Sequence, residues 1–196
     1  MTNSEMDNGN PAPIATIVRP TGSTVLFLIV AVVCGLGVAS IVVGDFTLRG
    51  LAVAGIPIAV ILVVYALYRF PCVQLRPREL VLVNPMTTVA IPWNLVDGFD
   101  THFGLSVRTH EGSYSSWSLA GRGKKMEKDE DGIRRLRDNH SPAVDAVLDH
   151  HAGLGEDALA NPRGERRVTV TWNVGVISAV IGAVAWAVIG VAALPG

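Results

Sequence analysis

ELVLVNPMTTVAIPWNLVDGF, residues 79–99, is the stretch whose reading decides the fold. Its apolar residues fall at every second position: Leu80 and Leu82 against Val81 and Val83, then Val89, Ile91 and Trp93. A period of two, built from β-branched and aromatic residues, marks strands half buried on a core. Asn84-Pro85 separates the runs, because proline fixes φ and asparagine accepts turn geometry. The stretch predicts a β-hairpin. Trp93, closing the second run, is expected to be buried against a helix that covers the sheet.

Outward from this hairpin, most of the rest is membrane span or connector. The chain is 49% hydrophobic, and that weight is concentrated in residues 24–44, 51–68 and 173–194. Residues 24–44 hold no charge and as a helix would extend about 31 Å at roughly 1.5 Å per residue, enough to cross a bilayer core. A cleaved signal peptide is the competing reading. The segment before it carries only Arg19 beside Glu5 and Asp7, and the run exceeds an ordinary signal core. Residues 45–50 allow only a tight connection to the second span, 51–68, which contains Pro57 and ends on Tyr65 and Tyr68. Tyrosines there suit the headgroup layer. Residues 1–23 are polar and lack periodicity, and read as a disordered tail.

Charge sets the orientation. Of 16 Lys and Arg, 14 lie between Arg69 and Arg167, while the loop joining the first two spans holds only Arg49. Arg69, Arg76 and Arg78 follow the second span, and Arg163, Arg166 and Arg167 precede the third. The positive-inside rule puts the N-terminus and the central region in the cytoplasm and the C-terminus outside the cell membrane. The same six arginines are expected to meet the inner leaflet.

The central region reads as an α+β domain over residues 69–152. Short strands are expected at 72–75, 79–83, 88–93, 95–101, 105–109 and 113–119, with His110-Glu111-Gly112 as a turn. Tyr114, Trp117 and Leu119 are expected to anchor the last strand. Residues 121–138 mix both signs and predict a mobile loop, with at most a short helix around 132–137. Ser141-Pro142 is a helix start, followed by Val144, Val147, Leu148 and His151 at helical spacing. Residues 153–172 read as a linker to the third span, with Trp172 at its cytoplasmic edge.

Catalytic, metal and cofactor chemistry has no positive signal. His102, His110, His140, His150 and His151 offer no pair at i,i+4, as two ligands on one helical face require, and are expected to be solvated. No glycine-rich phosphate loop or nucleophile elbow occurs. The net charge of −1 gives no basic field for nucleic acid, and no small-molecule substrate is evident. Cys34 and Cys72 read as small hydrophobes. The spans lack the ionisable groups of an ion or proton pathway. Small residues recur instead at Ala31, Gly35 and Ala39, and at Ala179, Ala183 and Ala187. Such faces pack helices within the chain or against another membrane protein.

The runs RPRELVLVNP, VAIPWNLV and LSVRTHEG, closing on Leu119-Ala120, resemble a family of bacterial pleckstrin-homology-like (PH-like) domains. That group is named for a low-molecular-weight mycobacterial protein antigen. Its members often attach the domain to membrane helices, and many are actinobacterial. The resemblance covers residues 76–120 and implies a half-open barrel or antiparallel sheet with a C-terminal helix, acting as a binding module. It brings no catalytic residues, and the charged segment 121–138 departs from a compact version of the domain. Two functions follow as expectations. One is a non-enzymatic multi-pass membrane protein presenting a cytoplasmic PH-like module to a protein or lipid. The other is a structural accessory subunit of a larger membrane complex. Fold alone does not choose between them.

Overall fold

The computed structural model describes residues 16–19, 21–44, 47–102, 104–120, 124–128, 134–138, 141–155 and 167–192. The hairpin lies where the alternation put it. β3 (Glu79–Val83) pairs antiparallel with β4 (Thr87–Pro92), from Glu79 opposite Pro92 to Val83 opposite Thr88. The Asn84 N–H donates to the Thr87 carbonyl at 2.8 Å and closes the turn.

Around this pair a five-stranded sheet is ordered β1-β2-β3-β4-β10, where β1 is Thr16–Val18, β2 is Cys72–Leu75 and β10 is Thr169–Trp172. A second antiparallel sheet holds β5 (Val96–Asp100), β6 (Gly104–Thr109) and β7 (Gly112–Ala120). Gly112, at φ +150, supplies the backbone of the β6–β7 turn. α3 (Pro142–Ala152) begins as its sequence announces: the Ser141 Oγ accepts the Val144 N–H at 3.3 Å, with proline in the first turn. Three further helices are long and apolar enough to cross a membrane. They are α1 (Thr21–Gly44), α2 (Leu48–Val64, prolonged by a π turn over Tyr65–Arg69) and α4 (Val174–Ala192).

The core follows from register. Val73, Leu82 and Val89 sit side by side across three strands, as do Leu75, Leu80 and Ile91, so a period of two turns all six to one face. Leu105, Val107 and Leu119 meet them from the second sheet, and Val144 and Val147 from α3. Trp93 is fully buried in a single 3-10 turn just after β4. Its ring lies 5.6 Å from His150 and 5.8 Å from His151 of α3. The expected burial against a helix is thus present. The expectation of solvated histidines is corrected for these two, since His151 also stacks edge-on to Phe99 at 5.1 Å.

Other expectations change too. Residues 16–18, assigned to the tail, form β1, and residues 169–172, assigned to the linker, form β10. Both are edge strands of three or four residues, and β10 buries none of its side chains, so no alternation betrays it. Within the segment expected as a loop with a short helix, the described residues instead form two antiparallel strands, β8 (Lys124–Lys128) and β9 (Arg134–Asp138). Their register sets Lys124 opposite Asp138 and Met126 opposite Leu136. Those pairs join residues 14 and 10 positions apart, beyond any window along one strand. Trp117 does not anchor the core. It is 59% exposed.

In the helical layer α2 packs on both α1 and α4. Its buried residues are Gly50, Ala54, Gly55 and Ala59, and those of α4 are Ala183 and Gly190. A Cβ on Gly190 would run into the Ala52 carbonyl oxygen, and one on Gly55 would come within 2.6 Å of Trp186. Small residues let these backbones meet where the gain is packing rather than hydrophobic transfer. Of the expected small-residue faces, Ala183 is buried, whereas nothing lies within 4 Å of a Cβ on Gly35. Gly190→Val is therefore expected to lower the thermal midpoint of the detergent-solubilised protein by several degrees, and Gly35→Val to leave it unchanged. Equal effects from both, read by circular dichroism, would contradict this packing.

Candidate functional site at the junction of sheet and helices

The structure's densest long-range hydrogen bonding lies where the helices meet the sheet, and it begins with a proline. Pro71 has no N–H, so the Leu67 carbonyl four residues earlier loses its helical donor. The chain widens there, the Phe70 N–H reaching the Tyr65 carbonyl at 2.8 Å. Leu67 is satisfied from outside the helix, by the indole N–H of Trp117 at 2.9 Å.

Trp117 is held in place by the hairpin turn. β7 shifts register against β6 between Ser115 and Ala120, releasing backbone groups from that ladder. Asn84 takes two of them. Its Oδ1 accepts the Trp117 N–H at 2.7 Å and its Nδ2 donates to the Ser115 carbonyl at 3.0 Å. Asn173, just before α4, ties the third helix to the same turn. Its N–H donates to the Met86 carbonyl at 2.8 Å and its Nδ2 to the Asn84 carbonyl at 2.7 Å, while its Oδ1 accepts from Thr88 Oγ1 at 2.8 Å. Asn84 thus binds β7, and through it α2, while Asn84, Met86 and Thr88 together hold the start of α4.

The strand directions give the sheet two distinct ends. β2 leaves α2 at Cys72 and reaches the Arg76–Arg78 turn; β3 returns to Asn84; β4 runs out again to Trp93. The two ends stand about 20 Å apart at roughly 3.3 Å per residue. Met86, Trp117, Trp172 and Tyr68 are exposed at the helix end. Arg69 lies there too, in the π turn.

Of the six arginines expected at one leaflet, the four described ones are divided between the two ends of the sheet. Arg76 and Arg78 occupy the far turn, their carbonyls accepting the Trp93 indole N–H at 2.8 Å and backbone N–H at 3.3 Å. The Arg76 guanidinium bonds Glu79 at 2.7 Å and Gln74 at 3.0 Å. Arg167 precedes Thr169, which faces Ala90, and so belongs to the far end as well. Arg163 and Arg166 lie outside the described residues. Charge counting along the chain has no access to this split, because a strand of four residues carries a loop away from the helix it follows.

Among the described residues, no three of His, Cys, Asp and Glu converge as a metal site would require. The serines of β6 and β7 bond one another, Ser106 to Ser113 at 2.8 Å and Ser115 to Ser106 at 3.2 Å. Cys34 and Cys72 are both free thiols. The geometry is that of a mechanical joint and an exposed rim.

Comparison with protein-family models, with characterised proteins and with solved structures finds no match to this chain.

Removing the Asn84 side chain deletes two bonds, worth roughly 0.5–1.5 kcal/mol each. Asn84→Ala is expected to lower stability by about 1–3 kcal/mol and to red-shift the Trp117 emission as the indole loses its seat. Unfolding in denaturant, followed by tryptophan fluorescence, checks both. An unchanged midpoint would remove Asn84 from the joint.

Proposed function

We propose that this chain is a non-enzymatic multi-pass membrane protein that holds a PH-like binding module against the cytoplasmic face of the cell membrane. The observation that carries the reading is the joint. The sheet domain is hydrogen-bonded to the ends of α2 and α4 through Trp117, Asn84 and Asn173, so it is presented in one orientation rather than trailed on a linker. Two antiparallel sheets around one core, covered by α3 at Trp93, support the half-open barrel with a C-terminal helix that the family resemblance implies. The cytoplasmic assignment rests on the excess of arginine flanking α2 and α4 on the sheet side, against Arg49 alone in the opposite loop.

In this reading the ligand is a protein or a lipid headgroup, and the far end of the sheet is where a soluble partner has access. Arg76, Arg78 and Arg167 stand exposed there, clear of the helices. The second reading, an accessory subunit of a membrane complex, draws on α1. Its Gly35 and Ala39 are exposed, and no other described helix covers them.

A reporter active only outside the cytoplasm tests the orientation. Fused after Gly196 it is expected to be active, and inserted at Gly123 it is expected to be silent. Activity at Gly123 would invert the assignment. Purification of the full chain in mild detergent then separates the two functions: a stoichiometric membrane partner favours the accessory subunit, and its absence the binding module.

A further inference from the structure

Large apolar side chains on the described part of the sheet domain are exposed in a pattern. Ile17 and Val170 lie on the edge strands; the others gather at the helix end. Met86, at the tip of the β3–β4 turn, is 64% exposed; Trp117 is 59% exposed and Trp172 67% exposed. Tyr68 joins them from the π turn, and beyond Asn173 exposed apolar residues follow from Val174 along α4.

These residues come from distant parts of the sequence but form one rim. The Met86 carbonyl accepts the N–H of Asn173, the neighbour of Trp172. Trp117 bonds Asn84 through its backbone, and through its indole the Leu67 carbonyl beside Tyr68. Since Leu67 occupies the indole N–H, what Trp117 offers outward is an apolar ring. Arg69 supplies a cation in the same turn. Apolar rings with polar edges and a nearby cation match the chemistry of the boundary between lipid headgroups and acyl chains. Among the described residues the opposite end offers nothing comparable: its turn is Arg76-Pro77-Arg78, and its tryptophan is fully buried.

We infer that the rim of Met86, Trp117, Trp172 and Tyr68 is seated in the headgroup layer of the bilayer that α1, α2 and α4 cross, making the β3–β4 turn and β7 membrane-contacting parts of the sheet domain. This rests on the membrane reading above, and it goes further. A sheet merely joined to helices would touch lipid only through the residues that join them. Here a turn and a strand remote from any helix in sequence are embedded as well.

The test uses the unaltered full-length protein in phosphatidylcholine–phosphatidylglycerol vesicles containing a photoreactive phospholipid. One probe carries its diazirine next to the glycerol backbone and the other at the end of the acyl chain, and adducts are mapped by mass spectrometry. The chain-end probe is expected to label the three long helices and spare the sheet. The shallow probe is expected to label Met86 and Trp117 and spare the Arg76–Arg78 turn. Helices labelled by the chain-end probe, with Met86 and Trp117 free of adducts from the shallow one, would overturn the seating while sparing the spans. Helices left unlabelled would overturn the membrane reading and the seating together.

Discussion

A carbonyl that cannot be satisfied by its own helix is the constraint on which the arrangement turns. Pro71 ends α2's hydrogen bonding, and an unmet backbone acceptor at the foot of a long apolar helix is costly. The Trp117 indole meets it from β7 at 2.9 Å. For that indole to arrive, β7 has to leave β6, and the groups freed by the departure need partners of their own. Asn84 provides them, which fixes β7 to the turn of the central hairpin.

Asn173 extends the same logic to the other helix. The residue before a helix commonly turns its side chain back on its own first N–H groups. Asn173 sends its amide outward instead, to the Asn84 carbonyl and the Thr88 hydroxyl, while its carbonyl still accepts the first helical bond from Ile177. One hairpin turn is thereby common to the end of α2, the start of α4 and the second sheet. The hairpin is also the source of the core, since Leu80, Leu82, Val89 and Ile91 bury the face on which Val144 and Val147 of α3 close. Packing and anchorage rest on the same 14 residues, Glu79–Pro92.

Most of the architecture was legible in the sequence because its signals are local. Alternation over residues 79–93 gave the hairpin, uncharged runs gave the long helices, and Ser141-Pro142 gave the start of α3. What escaped is non-local. β1 and β10 exist through pairing with β2 and β4; β1 buries only Val18 and β10 buries nothing, too little for a periodic signal. β8 and β9 exist through pairing with each other, whereas the charge mixture along either one reads as loop. Trp117 alternates with Leu119 as a core residue would, but the register shift in β7 turns it toward α2. Arg76 and Arg78 lie close to α2 in sequence yet stand at the far end of the sheet, because the four residues of β2 intervene. Proline at residue 71 was the one available clue to the junction, because it implies an acceptor at residue 67 in need of a donor.

The central claim is that sheet and helices move as one body. Spin labels at Leu48, at the far end of α2, and at Arg78, in the far turn of the sheet, measure it most directly. With Cys34 and Cys72 replaced and the protein in lipid nanodiscs, pulsed dipolar spectroscopy is expected to give a single narrow distance distribution, broadened when Trp117→Phe removes the indole N–H. A broad distribution in the protein with Trp117 intact would contradict the account, because the sheet would then be tethered and not joined.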